Sequence, residues 1–527
     1  MENENTPLIG GDGPVAEARR RRLRQFTLGG LFGFIAVLAL GLGRAAVGLA
    51  AGAASIRASS DRVEENLLQL QRIAAAARGG SRSVGDGFNA SAAFVVAALA
   101  NDTQLKVWTE ELLVKDQVDY ATPLFSAASL RARDRVYSAR LDFLTAFGSG
   151  SGTVTDLPLV IVPGCDPKLD SLPDYPFVAL ILEAAPPTKV GCDNCLCGRV
   201  SLAIKGGAKA VLLAATPISS GYPRPLAPSG RFSCPPPYNA SLFASLPILS
   251  LGQEASWDIV ARALDTPSKP TVSISTNTEY KTLGVVNVLA ESRTGSDDSV
   301  IIFGSHLDSV RAGPGVNDDG SGAMATLELA RAFSAFESKN GKSVQKVRFA
   351  WWSAEEIGLL GSKYHIKTLQ STNPAQLAKY KLTIDIDMIA SPNYIRGIWD
   401  GHSIIDPRIA RASARIASVF QSHFTRKGLP TSLVKFNGGS DFQPFMDAGV
   451  PAGGVITGEN EIKTAEEAAV FGGVAGVVLD PNYHQTEDTV EGFGAAGRAI
   501  LKENLEALVN ALQVFALENN LDAFLKA

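Results

Sequence analysis

From Val285 onward the sequence alternates short, β-branched apolar runs with amphipathic stretches of a dozen or more residues: "SVIIFG", "AMATLELARAFSAF", "KVRFAWWS", "IGLLGSKYHIKTLQ", then "KLTIDIDMIA". Strands joined by helical crossovers pair in parallel, and parallel strands are buried on both faces. The pattern therefore predicts an α/β fold with a mostly parallel, mixed central sheet and helices on both of its faces. In such sheets the reactive groups collect on loops beyond the carboxyl ends of the strands.

Those loops carry an unusual set of side chains. His306 and Asp308 follow the first run, and Asp318 stands before the first helix. Glu355 and Glu356 follow "FAWWSA", and Asp385 and Asp387 end "TIDIDMI". Further on come Asp441 in "GGSDFQPF" and His484 in "DPNYHQTEDT". Singly, each has a bland reading. A lone histidine is usually a hydrogen-bonded structural residue, as His365, His402 and His423 are expected to be. An "EE" pair is commonly a solvated helix start, and "GPGVNDDGSG" an ordinary turn with good capping residues. Jointly, at successive strand ends, they fit a metal site. Carboxylates mixed with imidazoles, without thiolates, suit catalytic zinc. The side chains are too many for one tetrahedral ion that also holds water; they suit two Zn2+ sharing a carboxylate and clamping a hydroxide between them. Adjacent residues at a strand end point different ways, so one glutamate can ligate while its neighbour serves as general base.

The first fifty residues differ in kind. A basic block, Arg19–Arg24, precedes an apolar stretch from Thr27 to Gly43. This predicts a cytosolic tail over 1–26 and, over 27–50, a signal-anchor that makes the chain a single-pass type II membrane protein, or a signal segment cleaved within "AAVGLAAGAAS". The body would then lie in a vacuole or lysosome lumen, to which "ENTPLI" also points, or outside the cell. The sequons at Asn89, Asn101 and Asn239 agree with export. So do the five cysteines, Cys165, Cys192, Cys195, Cys197 and Cys234, whose clustering predicts local disulfides with one thiol left over. The formal net charge of −4 gives no ground for a nucleic-acid partner.

Residues 62–150 read as the N-terminal part of the catalytic domain, with two amphipathic helices leading to a strand. Between 151 and 276 the texture changes to short β-rich runs between Pro/Gly turns, which predicts an inserted module; 277–527 completes the catalytic domain.

The stretches "HLDSV", "GPGVNDDGSG", "SAEEIGLLGSKYH", "IDMIASPN", "GGSDFQPFMDAGVPAGGVITG" and "DPNYHQTEDT" resemble, in order, the motifs of the dinuclear zinc aminopeptidases, the family of bacterial secreted leucine aminopeptidases and fungal vacuolar aminopeptidase Y. The insert, with "GRVSLAIKGGAKAVLLAA", resembles the protease-associated domain found in part of that family. The resemblance implies a dizinc exopeptidase fold, two Zn2+, and removal of N-terminal residues from peptides with a free N-terminus; the chain is expected to be a monomer. It implies that His306 and Asp387 hold one zinc, Glu356 and His484 the other, and that Asp318 bridges them. Asp387 is preferred to Asp385 on the motif "DM". Glu355 would be general base and then acid, Asp308 would orient His306, and Tyr483 would help stabilise the tetrahedral intermediate. A cis peptide would follow the bridging aspartate, between Asp318 and Asp319. Several bacterial relatives carry arginine just before the "SD" motif, where this chain has Gly439, so a contact from that arginine is missing. Two other readings share the fold: a membrane-anchored enzyme of the glutamate carboxypeptidase type, and a receptor or binding module without catalysis.

Overall fold

Along the strand Ser296–His306, Ile301 and Phe303 pack into one apolar core while Val300 and Ile302 pack into another. A strand whose alternate residues are buried in different cores has both faces covered, as the unbroken apolar run predicts. The computed structural model describes residues 55–129, 132–162, 172–182, 196–214, 240–265 and 269–527.

In chain order the strands are β1 (Leu105–Asp119), β2 (Leu124–Ala128), β3 (Arg135–Tyr137), β4 (Phe143–Thr145), β5 (Gly152–Ile161), β6 (Phe177–Leu182), β7 (Ala208–Ala214) and β8 (Ile248–Leu251). They continue with β9 (Thr271–Thr276), β10 (Thr278–Ser292), β11 (Ser296–His306), β12 (Gln345–Trp352), β13 (Tyr380–Ile386), β14 (Gly397–Trp399), β15 (Ser432–Val434) and β16 (Ala452–Ile456). One sheet has the order β1-β10-β12-β11-β13-β16-β14-β15, the other β3-β2-β9-β5-β6-β7-β8-β4. In the first, β12, β11, β13 and β16 are mutually parallel, so their carboxyl ends share one edge. The antiparallel neighbours β10 and β14 make the sheet mixed.

One face of this sheet is covered by the helices Ser60–Ala76, Phe88–Leu99, Gly322–Asn340, Ala410–Arg426 and Gly494–Leu517, which contribute Leu67, Phe88, Leu327, Phe420 and Leu508 to its core. The opposite core takes Ile366 from Leu360–Thr372 and Phe445 from Phe442–Asp447. The two helices expected ahead of the first strand are Ser60–Ala76 and Phe88–Leu99.

The second sheet is an insertion between two strands of the first. β1 and β10 run antiparallel from Leu105↔Ser292 to Asp119↔Thr278, and the chain between their far ends folds apart. The lobe begins earlier than residue 151: β2, β3 and β4 belong to it, β2 pairing with β9 and β4 with β8. Strands of three to five residues are too short to show a period, which is why the sequence texture changes only at β5.

The apolar segment expected at 27–50 lies outside the described residues, as do Asn239 and the cysteines 165, 192, 195 and 234. Among the described residues no helix is long and apolar enough to cross a membrane. Asn89 and Asn101 are exposed.

Candidate metal centre

At the shared edge, β11 ends on His306 and the chain turns through a loop before the helix Gly322–Asn340. Asp319 fastens that loop to the sheet. Its carboxylate accepts the backbone N–H of His306 (3.2 Å), of Gly322 (2.8 Å) and of Met388 (3.2 Å), tying together the ends of β11 and β13 and the start of the helix. Only glycine fits at 322, because a Cβ there would stand 1.8 Å from the carbonyl oxygen of Ile386. The Asp318–Asp319 peptide is cis, as the resemblance implied. Asp488 accepts the N–H groups of Asn317 (2.6 Å) and Asp318 (3.1 Å), and so holds the backbone that presents Asp318. Arg82, fully buried, donates to the carbonyls of Leu307, Pro314 and Gly315 and spans the loop from behind.

Asp318 sits between two imidazoles. Its Oδ1 is 3.2 Å from His306 Nε2, and its Oδ2 is 2.9 Å from His484 Nε2. His306 Nε2 also lies 3.8 Å from Asp387 Oδ1 and 3.9 Å from Glu355 Oε2, and His484 Nε2 lies 3.2 Å from Glu356 Oε2. The donor atoms of His306, Asp318 and Asp387 fall within 4.8 Å of one another, and so do those of Asp318, Glu356 and His484. Asp318 is common to both groups. Two buried carboxylate oxygens here, Glu356 Oε1 and Asp387 Oδ1, have no hydrogen-bond donor. Buried acceptors left without a donor are costly, and buried carboxylates concentrated in this way call for cations. With nitrogen and oxygen donors and no thiolate, the residues fit zinc.

Without ions, protons do the neutralising. Burial alone would depress the His306 imidazole, but Glu355, Asp308, Asp318 and Asp387 outweigh it and hold it well above its ordinary range. His484 behaves likewise: against burial, Glu356 and Asp318 push it up to about 10. Burial raises Asp318, yet the two imidazoles overcome this and lower it. Burial and Asp318 push Glu356 up to about 6. Glu355 stands well above the usual carboxylate range through burial and the repulsion of Glu356, Asp441 and Asp387.

The structure brings together His306, Asp318, Glu355, Glu356, Asp387 and His484. Tyr483 stacks its ring on that of His484, with centroids 3.8 Å apart. Asp385 points to Ser440, whose Oγ lies 2.9 Å from one oxygen of Asp385 and one of Asp387; Asp385 belongs to neither donor group. Asp308 stands beside the His306 ring and grips a second loop. His306 Nδ1 is 3.2 Å from the main-chain oxygen of Asp308 and 3.7 Å from its carboxylate, beyond hydrogen-bond range. The carboxylate oxygens instead accept the backbone N–H of Glu355 (3.0 Å) and of Glu356 (3.3 Å). Asp441 accepts from Ser362, and burial pushes it up to about 7. His365 is structural, held between Glu110 and Tyr380.

Sequence reasoning did not find Arg82, the backbone grip of Asp488, or Asn317, whose amide donates to Asp480 at 2.6 Å. Asp488 stood in plain view in "HQTEDT"; Arg82 has no local signal at all.

Residues 287–509, which contain the whole donor cluster, match the sequence model of peptidase family M28. A probable leucine aminopeptidase 2 of Aspergillus fumigatus is 42% identical over 238 residues, 45% of this chain and 45% of that protein. The leucine aminopeptidase 2 of Trichophyton rubrum is 40% identical over 231 residues, 44% of each chain. The match therefore spans under half the length of these curated relatives. Among solved structures, a zinc aminopeptidase from Bacillus subtilis superposes with a TM-score of 0.60 at 18% identity, over 88% of this chain and 97% of that one. An aminopeptidase from Aneurinibacillus sp. strain AM-1 gives 0.55 at 21% identity, over 88% and 95%. At these identities the likeness is one of fold. The family match, the relatives' identity and the shared fold agree: residues 287–509 of this chain carry a peptidase family M28 domain.

Proposed function

We propose that the chain is a zinc-dependent aminopeptidase that hydrolyses the first peptide bond of peptides with a free N-terminus. One observation carries the reading: Asp318 presents its two carboxylate oxygens to two different imidazoles, with Glu355 3.9 Å from one of them. The activity named for the fungal relatives supports it.

His306, Asp318 and Asp387 would hold one zinc and Asp318, Glu356 and His484 a second. When bound, the ions would supply Lewis acidity toward the scissile carbonyl and a water acidified toward neutrality. Glu355 belongs to neither donor group, so its carboxylate stays free to move a proton. Its Oε2 takes a proton from the attacking water and returns one to the leaving amine nitrogen as the C–N bond breaks. Asp308 fixes the backbone of both glutamates, so that Glu355 and Glu356 keep different tasks although adjacent. Tyr483, its ring stacked on that of His484, would donate its hydroxyl proton as a hydrogen bond to the oxyanion.

The test is zinc content per chain together with hydrolysis of free and amino-blocked peptides. Two zincs and activity abolished by amino-blocking support the proposal; a zinc-free, inert protein would sink it. Glu355→Ala should keep its zinc and lose at least about a hundredfold in kcat, within the range for a general base. Activity equal to wild type would show that Glu355 moves no proton.

A further inference from the structure

One carboxylate at the shared edge is used by nothing described so far. Glu459 lies just past β16, on the loop that leads toward the segment carrying His484. On one side, Thr457 donates its backbone N–H to the carbonyl of Met388, next to Asp387, at 2.9 Å. On the other, the Glu459 carbonyl accepts the N–H of Asp480 at 2.6 Å, at the start of the turn that presents Tyr483 and His484. The Glu459 N–H is taken by the Glu461 carboxylate at 2.9 Å. The backbone is thus held from three directions, and the half-buried side chain projects from a fixed base.

Its carboxylate has neither hydrogen bond nor ion pair among the described residues, and it belongs to neither metal-donor group. The nearest cation in the sequence, Lys463, is committed elsewhere, donating to the carbonyls of Asn393 (3.2 Å) and Tyr394 (2.6 Å). The charged groups facing Glu459 are Asp387, Glu461, Asp318 and His484; burial and the repulsion of the three acids outweigh the attraction of His484 and push its carboxyl up to about 8. It also faces Tyr483.

A half-buried carboxylate that is not a ligand and has no partner, held beside a reaction centre, is suited to a charge brought by the substrate. The substrate's α-amino nitrogen sits one bond from the carbon bearing the scissile carbonyl, and so stays with the donor cluster. A lysine or arginine side chain carries its charge several bonds further. Resting on the aminopeptidase reading, we propose that Glu459 is a specificity-determining residue that selects peptides whose first residue is basic, its carboxylate receiving the side-chain ammonium or guanidinium.

The test compares kcat/KM for arylamides of arginine, citrulline, lysine, norleucine and leucine, with wild type and Glu459→Gln, both loaded with zinc. Arginine should exceed citrulline, and lysine norleucine, by about tenfold or more in the wild type, the scale of one charge-assisted hydrogen bond. Glu459→Gln should shrink both ratios to within about threefold while leaving the leucine substrate within about twofold of wild type. Charged and neutral partners cleaved equally by the wild type, or a uniform fall over all five substrates in the variant, would overturn the assignment. No cleavage of any of the five by the wild type would overturn the aminopeptidase reading itself, and this inference with it.

Discussion

Asp308→Asn is a nearly isosteric change at a fully buried position, and its consequence can be worked from two hydrogen bonds. The wild-type carboxylate accepts the N–H of Glu355 at 3.0 Å with Oδ1 and that of Glu356 at 3.3 Å with Oδ2. An asparagine has one acceptor oxygen; its amide must face the other N–H, donor against donor. The longer bond is the one given up, so the Glu356 backbone is released while that of Glu355 is kept. Losing a hydrogen bond to a charged acceptor costs about 1.5–3 kcal/mol. Asp308 also repels Asp116 and Asp441 and attracts Arg82 and His306, so removing its charge acts on overall stability in opposing directions. The aim of Glu356 has no such offset, so activity should suffer more than stability. At about 1.4 kcal/mol per tenfold, kcat/KM on a leucine arylamide should fall about 10- to 100-fold. Zinc bound per chain should fall with it, since Glu356 is the donor affected, and Asp308→Ala, which abandons both N–H groups, should be worse than Asn. If Asp308→Asn kept its zinc and stayed within about threefold of wild-type activity, the claim that this carboxylate aims the glutamates would be refuted.

Zinc uptake should expel protons. His484 is pushed up to about 10 and His306 lies well above its ordinary value, so at pH 7 the metal-free chain carries a proton on each, and a zinc ligand must be neutral. Calorimetric titration in two buffers of different ionisation enthalpy should report at least about two protons released per chain, and zinc affinity should rise between pH 6 and 8; pH-independent binding would contradict this. Trp351, fully buried and donating its indole N–H to the Ala323 carbonyl at 2.8 Å, locks β12 to the helix that follows Asp318. Trp351→Ala should lower unfolding stability by about 3–5 kcal/mol in denaturant titration, whereas a loss under about 1 kcal/mol would mean the helix is held by other contacts.

Several donor side chains were legible because they close an element with its own sequence signature: His306 ends the apolar run of β11, the glutamates follow β12, Asp387 follows β13. What was not legible is what holds them. The resemblance set Asp308 behind His306; nothing in the sequence showed that, past the end of β11, its carboxylate reaches the N–H groups of the loop after β12. Arg82 acts on carbonyls more than 220 residues away in sequence, |i−j| = 225 for Leu307, and nothing near it announces a site. The three acids that shape the Asp318 loop divide in the same way. Asp318 is recognisable as a ligand by its chemistry; Asp319 and Asp488 bind only backbone N–H groups, which every residue offers, so no residue pattern marks their partners. Metal chemistry selects side-chain type and is written into the sequence. Positioning selects a place in space, and backbone amides leave no trace of it. In this chain the cost of that asymmetry falls on Asp308, Asp488 and Arg82, whose loss would disturb the cluster while every donor residue remained.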